Sequence, residues 1–133
     1  MAIRARSWFA VIVGVMAFLI LGTGLPRNTV AQTLERGYLA HTNDQNEWTA
    51  TTPPGFFYSV WIRADDQWVD FDLYVYDGQG NLVCSSVGPG GVEVCVFYAW
   101  YNVYHIKVMS AGGCPPQTIK ERPCGEGWYT LGI

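Results

Sequence analysis

Five aspartates fall close together in this chain: Asp65, Asp66, Asp70, Asp72 and Asp77. Hard cations take several oxygen ligands, and carboxylates two apart on a strand share a face, so Asp70, Asp72 and Asp77 are candidate ligands for Ca²⁺. The competing reading is structural: Asp70 and Asp72 accept hydrogen bonds from loop amides, and Asp77 caps a turn. Trp61, Tyr74, Tyr76, Tyr98, Trp100 and Tyr101 form a second candidate set, an aromatic platform for a sugar or a peptide. Against it stands the use of Tyr and Trp as half-buried cover on a small domain. The two histidines, His41 and His105, come with no G-x-S-x-G or H-E-x-x-H pattern, so catalysis, as a small hydrolase, has the least support.

Four cysteines, Cys84, Cys95, Cys114 and Cys124, are even in number and lack the C-x₂-C spacing of a zinc site. They read as two disulfides, Cys84–Cys95 and Cys114–Cys124. The first pair sits symmetrically about Pro89-Gly90, as across a wide hairpin loop. The second would staple the Pro- and Gly-rich stretch between Gly112 and Gly125.

The residues that must hold these groups follow an N-terminal leader. Arg4 and Arg6 precede an uncharged stretch from Trp8 to Leu25, then Gly and Pro breakers and small residues before Gln32. This layout predicts a signal-peptide helix within residues 1–31, with an uncleaved membrane anchor over residues 8–25 as the alternative. Without the leader 102 residues remain, enough for one domain. Three of the eight basic residues leave with it and all eleven acidic ones stay, moving the formal charge from −3 to −6. That balance argues against nucleic acid and anionic membrane surfaces as partners. The expected location is secreted, periplasmic or extracellular, with membrane contact only through an uncleaved leader.

Past the leader, residues 32–49 read as a polar N-terminal arm. The clearest strand runs through Val69, Phe71, Leu73 and Val75 on one face, with Asp70, Asp72, Tyr74 and Tyr76 on the other. Asp77-Gly78-Gln79-Gly80 supplies a turn, and residues 81–86 form the return strand. Phe56, Tyr58, Val60 and Ile62 alternate inward along an earlier strand. Residues 92–98 are expected to pair with 81–86 around the Gly88–Gly91 loop. Tyr104, Ile106 and Val108 face inward on the next strand, and Tyr129, Leu131 and Ile133 on the last. Short strands, aromatic and β-branched, predict an all-β antiparallel sandwich of jelly-roll-like form.

The run Asp70-Phe71-Asp72-Leu73-Tyr74-Val75-Tyr76-Asp77 with Gly80, then Tyr104-His105-Ile106-Lys107-Val108 and Tyr129-Thr130-Leu131, resembles the bacterial pre-peptidase C-terminal (PPC) domain. The likeness covers most of residues 50–133, with Gly55 entering the strand from Phe56 to Ile62. It implies a non-catalytic β-sandwich of the kind appended to secreted enzymes, with the aspartate pair in a structural role and no resident cofactor. No protease domain accompanies the module here, and the Cys-bearing insertion between Met109 and Gly127 exceeds the family pattern. The expected function is therefore a secreted binding module for extracellular polysaccharide or protein, or an accessory to a secreted partner. A membrane-tethered envelope-assembly protein and a Ca²⁺-stabilised adhesive module are its rivals.

Overall fold

The computed structural model describes residues 32–117 and 121–133; the expected signal peptide or anchor lies outside them. Among the described residues eight strands form two four-stranded sheets, and every pairing is antiparallel. The strands are β1 (Leu34–Leu39), β2 (Gln45–Thr51), β3 (Phe57–Ala64), β4 (Asp70–Asp77), β5 (Leu82–Ser86), β6 (Val92–Tyr98), β7 (Val103–Gly112) and β8 (Gly127–Gly132). One sheet has the order β1-β8-β3-β6 and the other β2-β7-β4-β5. The β4–β5 connection alone stays within a sheet; every other link crosses to the facing one.

The core forms where the period-two faces meet. Val60 and Ile62 of β3, Cys95 and Phe97 of β6, and Tyr129 and Leu131 of β8 point in from one sheet. Phe71, Leu73 and Val75 of β4 meet them from the other, with Tyr104, Ile106 and Val108 of β7. Two aromatic contacts bridge the layers: Phe71 on Tyr129 at 5.9 Å, edge to face, and Phe97 on Tyr104 at 4.7 Å. Interlocked aromatic and β-branched side chains are the usual filling between sheets about 10 Å apart.

Two expectations need correction. Residues 32–49 are not an arm ahead of the domain, because they supply β1 and β2, the first edge of each sheet. Edge strands keep one side in water, so a polar sequence suits them. Likewise, β6 does not pair with β5. It pairs with β3 in register Phe57↔Tyr98 to Arg63↔Val92, while β5 pairs with β4. The chain switches sheets between Val87 and Gly91, where Asp70 Oδ1 accepts from the Gly90 amide at 2.9 Å. Buried Glu93 accepts from Ser86 Oγ and, at 3.0 Å, from the Gly88 amide.

Both expected disulfides form, and their geometry explains their use. Cys84–Cys95 joins the edge strands of opposite sheets and closes one side of the sandwich (Cα–Cα 5.8 Å). Cys114–Cys124 folds the β7–β8 connection back on itself. That connection docks on the β1–β2 turn, where the Cys124 carbonyl accepts from the Thr42 amide at 2.9 Å. Two disulfides fit an oxidising compartment.

Candidate functional site: an exposed aromatic end and its apolar sheet face

The period of two that builds the core also decides what faces outward. On the β1-β8-β3-β6 sheet the outward set includes Phe57 and Trp61 from β3, and Val92, Val94, Val96 and Tyr98 from β6. Phe57 lies directly across from Tyr98, their rings 5.1 Å apart and nearly perpendicular. Trp100, on the loop after β6, meets Tyr98 at 4.6 Å with its plane turned by 62°. Phe57 and Trp100 are each 74% exposed, and Val96 is 62% exposed. Phe56 and Tyr101 extend the same apolar end. Such a patch exceeds the scattered apolar residues normal for a soluble surface.

Local hydrogen bonds hold this end in place. The Gly55 and Ala99 amides donate to the Ala99 and Phe56 carbonyls, both at 2.8 Å, carrying the β3–β6 ladder past the strand ends. The buried Tyr104 hydroxyl accepts from the Trp100 and Tyr101 amides at 2.9 and 3.1 Å. The loop that displays Trp100 is thus anchored on a core side chain. Farther along the sheet the Trp61 indole lies over Gly132, where any Cβ would clash with it. At the opposite end Trp128 meets Tyr38 at 5.0 Å and lies under the Arg36 guanidinium.

The six aromatics expected to form one platform are divided between the two sheets. Trp61, Tyr98, Trp100 and Tyr101 belong to the β3–β6 side, whereas Tyr74 and Tyr76 lie on the outer face of β4, in the other sheet. Spacing along a strand assigns a side chain to a face but does not say which sheet the strand joins. Phe57, packed on Tyr98 and as exposed as Trp100, is not among the six expected residues. Phe56, expected inward, precedes β3 and is exposed.

The aspartates are dispersed as well. Asp70 and Asp77 occupy opposite ends of β4, roughly 23 Å apart for seven strand steps, so one ion cannot bridge them. Asp77 instead binds the turn after β4, its Oδ1 accepting from the Gln79 and Asn81 amides at 2.9 Å. Hydrogen bonds from Asn81 and those amides hold its carboxyl below the ordinary range. Asp72 is buried, and burial raises its pKa despite a hydrogen bond from Tyr74. Asp65 pairs with Arg36 at 2.6 Å and Asp66 with Arg122 at 3.0 Å. Among the described residues no three His, Cys, Asp or Glu side chains converge as a metal site.

The histidines serve local structure. His41 donates from Nδ1 to the Thr42 carbonyl at 2.9 Å, and His105 meets Thr49 Oγ1 at 3.4 Å on the outer face of β7. Among serines, Ser110 Oγ donates to the Gly125 carbonyl at 2.9 Å in the interior and Ser86 is bound to Glu93. Among the described residues no carboxylate is hydrogen-bonded to either histidine to orient it as a general base. Comparison of the chain with models of known families finds no match, and comparison with curated proteins finds none.

Proposed function

We propose that this chain is an exported, non-catalytic recognition module that binds a protein outside the cell through the outer face of its β1-β8-β3-β6 sheet. The observation that carries this reading is the exposed Phe57–Tyr98–Trp100 cluster, continuous with Val94 and Val96. Sugar rings stack on flat, coplanar aromatic faces and take hydrogen bonds from neighbouring polar groups. Here the rings interlock edge to face, at 73° and 62°, and of the adjoining outward residues Val94 and Val96 offer no hydrogen bond and Ser59 a single hydroxyl. Apolar knobs of this kind suit the complementary pockets of a protein partner, where aromatic anchors carry most of the binding energy.

The reading includes the PPC-type assignment. The strand order β1-β8-β3-β6 against β2-β7-β4-β5 is that of an eight-stranded jelly roll, which supports it. The loop-amide bond of Asp70 agrees with it, whereas Asp72, the other member of the pair, accepts from the Tyr74 hydroxyl instead. The test is retention of purified, oxidised protein on collagen, peptidoglycan, cellulose and chitin, with and without Ca²⁺. Retention on the protein matrix that is lost in Phe57→Ser and Trp100→Ala is the expected result. No retention on collagen, or retention there that survives both substitutions, would move recognition off this face.

A further inference from the structure

The outer face of the second sheet carries a different surface. Register places Glu47 of β2 beside Lys107 of β7, and Lys107 beside Tyr74 of β4. The next row runs Thr49, His105, Tyr76. A shallow groove of about 210 Å³ opens between these rows, lined by Glu47, Tyr76, Gly80, His105, Ile106 and Lys107. The Lys107 ammonium lies 5.7 Å from the centre of the Tyr76 ring and 3.9 Å from the Glu47 carboxylate.

We propose that this groove binds one ring of a neutral sugar, as part of an oligosaccharide or a polysaccharide. Four observations select that ligand. First, the groove lies over β7 and β4, the central strands of the sheet, whose backbone groups are paired on both sides. A peptide therefore cannot add as a strand, and side chains must do the recognition. Second, those side chains combine donors with acceptors: the ammonium donates, the carboxylate accepts, and the imidazole adds a ring N–H donor. Sugar hydroxyls need that mixture. Third, Glu47 and Lys107 offset each other's charge, and the carboxylate in the wall opposes a phosphate, sulfate or uronate. Fourth, Tyr76 supplies a ring against which sugar C–H groups pack, and the Lys107 ammonium, 5.7 Å over the same ring, is close enough to meet a hydroxyl of that sugar. The volume suits a single ring and falls short of the larger pockets that enclose drug-sized apolar ligands.

This site is on the sheet opposite the Phe57–Trp100 end, so it stands or falls separately from the protein-binding reading. The test is an NMR titration of the oxidised protein with cellohexaose, laminarihexaose and chitohexaose, and with trigalacturonate as the charged counterpart. The expected result is saturable movement of the His105 and Tyr76 ring signals by at least one neutral hexasaccharide. Affinity falls about tenfold or more in Tyr76→Ala and in His105→Ala and is unchanged in Trp100→Ala. Tyr76→Phe keeps the ring and retains most of the binding, which separates loss of the site from loss of the fold. Absence of any response to the three neutral sugars overturns the proposal. So does a response confined to trigalacturonate, or one abolished by Trp100→Ala.

Discussion

Replacing Tyr129 by Phe tests the packing argument at its most constrained point. Tyr129 is fully buried on β8, and its hydroxyl accepts hydrogen bonds from Asn46 Nδ2 at 3.0 Å and Trp48 Nε1 at 2.9 Å. Both donors come from β2, in the facing sheet, so this one oxygen ties the layers together. Burial raises its pKa and the two donors oppose that rise, leaving a neutral phenol. Tyr129→Phe keeps the ring against Phe71 and strands both donors. An unsatisfied buried donor costs about 1–3 kcal/mol. Asn46 and Trp48 are only partly buried, and Asn46 keeps its bond to the Tyr38 carbonyl. The expected loss is therefore about 2–3 kcal/mol, or roughly 10–20 °C in Tm for a domain of this size. Urea unfolding followed by tryptophan fluorescence measures it, and Trp48→Phe in both backgrounds completes a double-mutant cycle. A loss under about 0.5 kcal/mol, or additive single effects, would refute the claim that this hydroxyl couples the sheets.

Other outcomes follow from the same structure. Gly37→Ala drives a methyl into the Tyr129 ring across the β1–β8 pair, so unfolding at lower urea is expected, whereas wild-type stability would deny that close approach. Removing either disulfide as an alanine pair opens a loop spanning 11 or 10 residues and should cost about 3 kcal/mol in the chain-entropy model. Cys84→Ala/Cys95→Ala should also raise amide exchange in both edge strands β5 and β6; exchange confined to one strand would deny the cross-sheet tie. The Asp77 carboxyl is held below its unfolded value, so its stabilising effect is complete above that value and is lost as pH falls through the lower folded one. A carbon-detected NMR titration should place the Asp77 midpoint below that of an unfolded aspartate, and a midpoint at or above it would show that the turn does not hold the ionised form.

How much the sequence reveals depends on whether a feature is local. Alternation along Val69–Val75 and Tyr104–Val108 identifies buried faces, because burial on one side imposes a period of two within each strand. The strands of residues 34–39 and 45–51 escape that test. As edges they bury only a few side chains, chiefly Gly37 and Leu39 in one and Ala50 in the other, too few to show a period. The Cys84–Cys95 pairing is legible from spacing, but the hairpin used to explain it is not what forms. A Pro-Gly loop can reverse a strand within a sheet or carry it across the sandwich, and the competing partner, β3, is distant in sequence. The same non-local choice placed Tyr74 and Tyr76 away from Trp61, Tyr98 and Trp100, dividing one expected platform into two surfaces. Phe57 could have been found beforehand, since an outward Phe on an otherwise well-patterned strand is the anomaly worth marking.

The central claim, protein recognition by the outer face of the β1-β8-β3-β6 sheet, is tested most directly by site-specific photo-crosslinking in the producing cells. Trp100 is replaced by benzoylphenylalanine in one sample and Thr49, on the opposite sheet, in another. A discrete protein adduct is expected from position 100 and none from position 49, and the adduct is lost when Phe57→Ser is added. Adducts from position 49 alone, or none from position 100, would contradict the claim.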